Sequence, residues 1–158
     1  MARKPNYGGT AGTTMVVTLN EDIVINNMQY GSVQRCSVKN IRNVSRRIIA
    51  VPTATNGAQV YAGAAAASIG THVSTGVKYI RITNLDNTNY VTLRITGDAS
   101  TDYSVRLDAG ASHLIISTSS TGVVDYADIT GVTLEDLSAI SATANTAACD
   151  LEIVVASA

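Results

Sequence analysis

The sequence contains no phenylalanine and no tryptophan, and only two prolines, two cysteines and two histidines among 158 residues. Each scarcity excludes something. Without Phe or Trp, the core must be filled by small aliphatics helped by some of the seven tyrosines. Such a core is thin, and cover from neighbouring subunits is expected. A sugar-binding face built on flat exposed aromatics has only those tyrosines to draw on. Cys36 and Cys149 lie in no C-x-x-C or C-x-x-H setting, so neither a zinc site nor a disulfide framework is expected. They read as small buried hydrophobes of a reducing compartment. His72 and His113 are too few for a histidine-rich metal site, and no cofactor is expected.

Long apolar runs are also missing. The tract at 64–67, four alanines, is far too short to span a bilayer, and no membrane partner is expected. The opening "MARKPNYGGTAGTT" has two basic residues but no apolar stretch of the kind a signal peptide requires. The expected place of assembly is therefore a cytoplasm. Net charge is −1, which removes the simplest argument for a nucleic-acid partner. The charge is unevenly spread, however. Residues 1–50 hold seven Lys/Arg and two Asp/Glu, whereas residues 51–158 hold four and ten. Compensation within one subunit is the expected outcome, and compensation between subunits is the other possibility.

What the chain has in excess is β-branched residues. Valine and isoleucine together number 31 against eight leucines, with 19 threonines beside them, a composition suited to pleated, half-buried surfaces. Residues 1–13, with Pro5, Gly8, Gly9 and Gly12, have little to bury and read as an extended N-terminal arm. Residues 14–158 read as one sandwich domain. "TMVVTLN" and "DIVINNMQY" are two runs with a turn expected at Asn20-Glu21, followed by "GSVQRCSVKN" and by "SRRIIAV", which Pro52 ends. In "VKYIRIT", Ile80 and Ile82 share one face and Tyr79, Arg81 and Thr83 the other. In "YVTLRIT", Val91, Leu93 and Ile95 point inward, and in "YSVRLDAG" so do Tyr103, Val105 and Leu107.

"NLDNTN" between the first two of these runs is a turn of hairpin length. Short helices are conceivable only at 64–69 and 133–138. Nine or ten short runs at this spacing predict an all-β, antiparallel β-sandwich, jelly-roll-like in arrangement.

No motif carries chemistry. "GASHL" (110–114) has Leu114 where a nucleophile elbow needs glycine, and Ser112 and His113, adjacent on a strand, face opposite ways. "GGTAGTT" lacks the lysine of a phosphate-binding loop. "DNTN" and "DASTD" offer oxygens but not the alternating carboxylates and closing glutamate of a calcium loop. A basic stripe of Arg35, Lys39, Arg42, Arg46 and Arg47 has no interleaved aromatics on which bases could stack. The chain is expected not to be an enzyme.

One arginine stands in each of three successive runs: Arg81, Arg94 and Arg106. On neighbouring strands they could share an outward face, as an anion site, as charges paired with Asp98, Asp102 or Asp108, or as a contact between subunits. The contact-and-rim reading is preferred. In the arm, Arg3, Lys4 and Tyr7 are the residue types that anchor an extended segment on a partner.

"VKYIRITNLDNTNYVTLRI", "YSVRLDAGASHLI" and the tail "DLSAISATANTAACDLEIVVASA" resemble small structural proteins of tailed-phage virions, aquatic phages in particular. The likeness is best over residues 77–158 and rests on strand patterns, so it transfers no site residues. It implies a β-sandwich subunit of the phage head, a capsid cement or decoration protein. Its partners would be its own copies, most simply as a trimer, and a major capsid protein, within a virion assembled in the host bacterial cytoplasm. A tail or neck component is the alternative within that resemblance, and a carbohydrate-binding sandwich module the alternative outside it.

Overall fold

The structure, a computed structural model, describes residues 13–66, 68–99, 102–117, 124–125 and 135–158. The elements in chain order are β1 (Thr13–Glu21), β2 (Val24–Ile25), β3 (Met28–Gln29), β4 (Ser32–Ile41), β5 (Asn43–Val51), β6 (Ala58–Ala64) and β7 (His72–Val73). After a 3₁₀ turn at Ser74–Gly76 come β8 (Val77–Asn84), β9 (Val91–Gly97), β10 (Asp102–Leu107), β11 (Ser112–Ile116), β12 (Val124–Asp125), β13 (Glu135–Ala144) and β14 (Cys149–Ser157). The protein is all-β, as its composition predicts. Of the two segments where a short helix is conceivable, 133–138 is strand β13 from residue 135 onward, and Ala64 closes a strand instead of opening a helix. Six residues at either place are too few to sustain a helix on their own, and in β13 Leu137 is buried in the core between the sheets.

Two sheets enclose the main core. The first has the order β11-β8-β14-β5 and the second β10-β9-β13-β6-β7, with β12 beside β13. All pairings are antiparallel except the short β6 and β7 pair. Ile80, Ile82, Leu151, Ile153 and Val155 from the first sheet meet Val91, Leu93, Ile95, Leu107, Ile140 and Ala142 from the second. Each large aliphatic withdrawn from water in this way contributes about 1.5–3 kcal/mol, which is how a core without Phe or Trp holds. A bulge opposite Ile140 and Ser141 lets two consecutive residues of β6, Val60 and Tyr61, enter the interior together.

Numbered by their order along the chain, the eight long strands β5, β6, β8, β9, β10, β11, β13 and β14 are wired 1-8-3-6 in the first sheet and 2-7-4-5 in the second. Of these eight, only β9 and β10 follow each other within one sheet. The "NLDNTN" turn is therefore not a hairpin: it carries the chain from β8 in one sheet to β9 in the other. Asn84 holds this crossing, its fully buried side chain donating to the carbonyls of Asn89 (2.8 Å) and Leu107 (3.2 Å) and accepting from the Asp86 amide (3.0 Å).

Residues 13–41 do not join the sandwich. β1 and β4 pair with each other into a two-stranded ribbon, extended by the small β2–β3 hairpin. The turn expected at Asn20-Glu21 is not there, since β1 runs through it. The chain reverses instead at Asn26-Asn27, both at positive φ (52° and 63°), which suits the two-residue reversal between paired Ile25 and Met28. At the base, the Asn40 bulge (φ 63°) shifts the register, and Met15, Val17, Cys36 and Val38 pack on Tyr79, Val154 and Ala156 of the first sheet's outer side.

Candidate functional site

Every residue from 18 to 35 is exposed. Ile23, Val24, Ile25, Met28 and Tyr30 crowd the ribbon's tip, with Val16, Leu19 and Val33 along its shaft; these are eight of the fifteen exposed large hydrophobics among the described residues. The tip is nevertheless a built object. Ser32 donates to the Glu21 carboxylate (2.6 Å), Gln29 to Asp22 (3.2 Å), and the Tyr30 amide to the Ile23 carbonyl (2.7 Å). Gly31 lets the strands close at this junction, because a Cβ there would lie 2.6 Å from the Glu21 carbonyl oxygen. Sequence reading missed this patch, although "DIVIN", with apolar residues at consecutive positions, signalled a segment lacking one buried face and one wet face.

The ribbon base covers the middle of the first sheet's outer face. Cross-strand rows there run Val44–Ala156–Tyr79–Ile116, then Arg46–Val154–Arg81–Leu114, then Ile48–Glu152–Thr83–Ser112. Ala156 and Tyr79 are buried beneath the ribbon, whereas Val44 and Ile48 on edge strand β5 stay exposed at 57% and 61%. Glu152 is buried and is gripped from both sides by Arg46 and Arg81. Burial makes that carboxylate dependent on its two guanidinium partners.

The second sheet's outer face is polar. Thr92, Arg94, Ser104, Ser141 and Thr143, with Thr55 and Asn56 from a loop, line a shallow cleft. Arg94 pairs with Asp102, and Arg106 pairs with Asp108 (2.7 Å) while lying over the Tyr90 ring (4.1 Å).

The three arginines therefore do not converge. Arg94 and Arg106 share the second sheet, and Arg81 lies on the far side of the molecule, because β8 and β9 belong to different sheets. The expected rim pairing holds for Arg94 and Arg106 but not for Arg81, whose partner Glu152 is 71 residues away. Arg3, Lys4 and Tyr7 lie outside the described residues, as does the arm except for Thr13, which opens β1. The basic stripe is divided: Arg46 belongs to the Glu152 pair, Arg47 donates to the Val60 carbonyl (2.6 Å), and Arg35 and Lys39 stand on the ribbon.

The remaining polar clusters are accounted for by structure. Ser112 points outward to Thr83 (2.8 Å), while His113 faces inward. Burial lowers the pKa of His113, and also that of His72, which stacks on Tyr61 at 5.6 Å with Arg47 adding to the shift. Tyr61 is pushed up to about 12 by burial and then by Asp136, and its hydroxyl lacks a partner among the described residues. Asp86 caps its own turn, accepting from the Asn89 (2.6 Å) and Thr88 (2.7 Å) amides, which hold its carboxyl below the usual range. Both thiols are free, Cys36 under the ribbon and Cys149 in the core. Among the described residues no group of three His, Cys, Asp or Glu side chains is placed to hold a metal ion, and no helix is long and apolar enough to cross a membrane.

No family model matches the chain, and neither a curated protein nor a solved structure matches it. The surfaces themselves must carry the functional argument.

Proposed function

We propose that this protein is a structural subunit of a tailed-phage virion, a cement or decoration protein that strengthens the head shell by burying surface against the major capsid protein and its own copies. The observation that carries this reading is the exposed apolar ribbon on an otherwise well-buried sandwich. A patch of that size on a surface otherwise rich in Thr, Ser and Asn marks a place where another protein sits. The wiring of the eight long strands, 1-8-3-6 and 2-7-4-5, supports a jelly roll, the double-sheet arrangement common in capsid and lectin domains. The chain works, on this reading, by contact and not by turnover, without a cofactor, and it assembles as a trimer in the host bacterial cytoplasm before joining the virion.

The test is to purify particles from the host that encodes the chain, count its copies by quantitative mass spectrometry and image the particles at low resolution. Density on the shell at tens to hundreds of copies is expected. A few copies at one vertex would assign it to the neck or tail, and absence from the particles would overturn the reading.

One observation favours a second reading. The hydroxyl-lined cleft of the second sheet, with Arg94 at its centre and Tyr90 nearby under Arg106, has the hydrogen-bonding groups of a glycan-binding face. Binding on a glycan array, lost on Arg94→Ala, would support a carbohydrate-binding module.

A further inference from the structure

We infer that the ribbon tip of one copy, Ile23, Val24, Ile25, Met28 and Tyr30, seats on the uncovered strip of edge strand β5, Val44 and Ile48, of a second copy of this chain. The inference deepens the structural role proposed above and rests on it for the close meeting of many copies.

Three observations select a second copy as the occupant. The first is continuity. The ribbon's own base already packs on the outer face of the first sheet, over Tyr79, Val154 and Ala156, and the uncovered Val44 and Ile48 extend that same face on the next strand but one from Tyr79 and Arg81. Ribbon side chains and this pleated surface are thus shown to fit within the molecule. The chain's own tip is directed elsewhere, since residues 18–35 are exposed throughout.

The second is charge. At the tip, Glu21 and Asp22 make no ion pair among the described residues, and neither does Arg42, which stands immediately before β5. Arg46, between Val44 and Ile48 on the strip, is paired with Glu152 but stays largely exposed. An acidic tip and a strip flanked by arginines are complementary between copies.

The third is the strand edge. β5 ends the first sheet and is nine residues long, and the outer edge of β1, also nine residues, is equally unpaired. Long open edges are ordinarily blunted or covered, and a lone two-stranded ribbon is marginal in water. One intersubunit contact covers the tip, the strip and an edge together.

The full-length chain tests this. In a background with Cys36→Ala and Cys149→Ala, Met28→Cys and Ile48→Cys proteins are mixed under mild oxidation. A covalent heterodimer is expected from the mixture, with little product from Leu114→Cys in place of Ile48→Cys, because Leu114 lies on the other side of the docked ribbon base. Met28→Asp should weaken self-association in analytical ultracentrifugation by about tenfold or more, as loss of a central apolar anchor does, with an unchanged circular dichroism spectrum. A wild-type chain that stays monomeric at high micromolar concentration overturns the inference, as does assembly indifferent to Met28→Asp or cross-linking that prefers Leu114→Cys. Particle incorporation is scored separately. A chain that cross-links as expected but is missing from virions leaves this contact standing and removes the proposed role, whereas a virion-borne chain that fails to cross-link does the reverse.

Discussion

The ribbon and the sandwich are made of the same kinds of residue and treat them in opposite ways. In β9, Val91, Leu93 and Ile95 alternate with Thr92 and Arg94, and the three aliphatics are fully buried. In β1, Met15, Val17 and Leu19 alternate with Val16 and Thr18, and only the first two find cover. A strand in a sandwich has a second sheet opposite its apolar face, whereas a ribbon has at most what it lies on. Burial is a property of the layer opposite and not of the strand, and an apolar strand without a facing layer is a surface awaiting another protein.

The comparison breaks most sharply with core truncation. Leu93→Ala or Ile82→Ala should cost about 2–5 kcal/mol in denaturant unfolding, whereas Ile25→Ala at the tip should change the stability of the isolated subunit by no more than about 0.5 kcal/mol. A tip variant as damaging as the core variants would mean that the ribbon is part of the folding unit.

Glycines give the next largest contrast. At Gly57 (φ 60°) a Cβ would lie 2.2 Å from the Ala142 carbonyl oxygen. Gly57→Ala should therefore lower the melting temperature of the sandwich, the left-handed backbone alone costing about 1–2 kcal/mol. Gly31→Ala meets a similar obstruction at Glu21 but only at the ribbon tip. It should leave sandwich melting unchanged while raising amide exchange over residues 21–32.

Removing the shared carboxylate comes third. Glu152→Gln leaves Arg46 and Arg81 facing a neutral amide, a cost of about 1–2 kcal/mol because both guanidinium groups keep some access to water. Arg94→Ala and Arg106→Ala, each removing an exposed pair, should cost less than about 1 kcal/mol.

The pH dependence is the gentlest probe, and it reports on the sandwich alone. His72 and His113 have folded pKa values below their ordinary value, so the unfolded chain binds protons more readily than the folded one. Stability should be fully present above about pH 6.5 and fall as the pH drops below it. At the other end, Tyr61 titrates near 12 in the fold and near 10 when unfolded, so stability should fall as pH rises from about 10 to 12. Tyr61→Phe should flatten that alkaline loss. Chemical denaturation at a series of pH values checks both limbs.

Much of the sandwich was legible in the chain. Alternation in residues 79–83, 90–96 and 103–107 sorted core-facing from outer-face side chains correctly, because each strand turns one face to the core between the sheets and a period of two permits one solution; that the ribbon would also cover Tyr79 on the outer face was not legible. Pro52 marked the end of β5 for want of a donor, and the paired asparagines at 26–27 were a reversal signal that the nearer Asn20-Glu21 obscured. The pairing of Arg94 with Asp102 and of Arg106 with Asp108 was also within reach, since those partners are close in sequence.

Local pattern alone determined strand character, facing and the near absence of helix, because propensity and pleat act over a few residues. Only the tertiary structure decided which sheet each strand joins, and with it that Arg81 parts company with Arg94 and Arg106 and finds Glu152 instead. It also decided that the strands of residues 13–41 pair with each other outside the sandwich, covering side chains at their base and leaving those from Leu19 to Val33 in water. Those outcomes depend on pairings across tens of residues, where the same alternating pattern fits several partners, and the choice is made by the total area the assembled layers can bury.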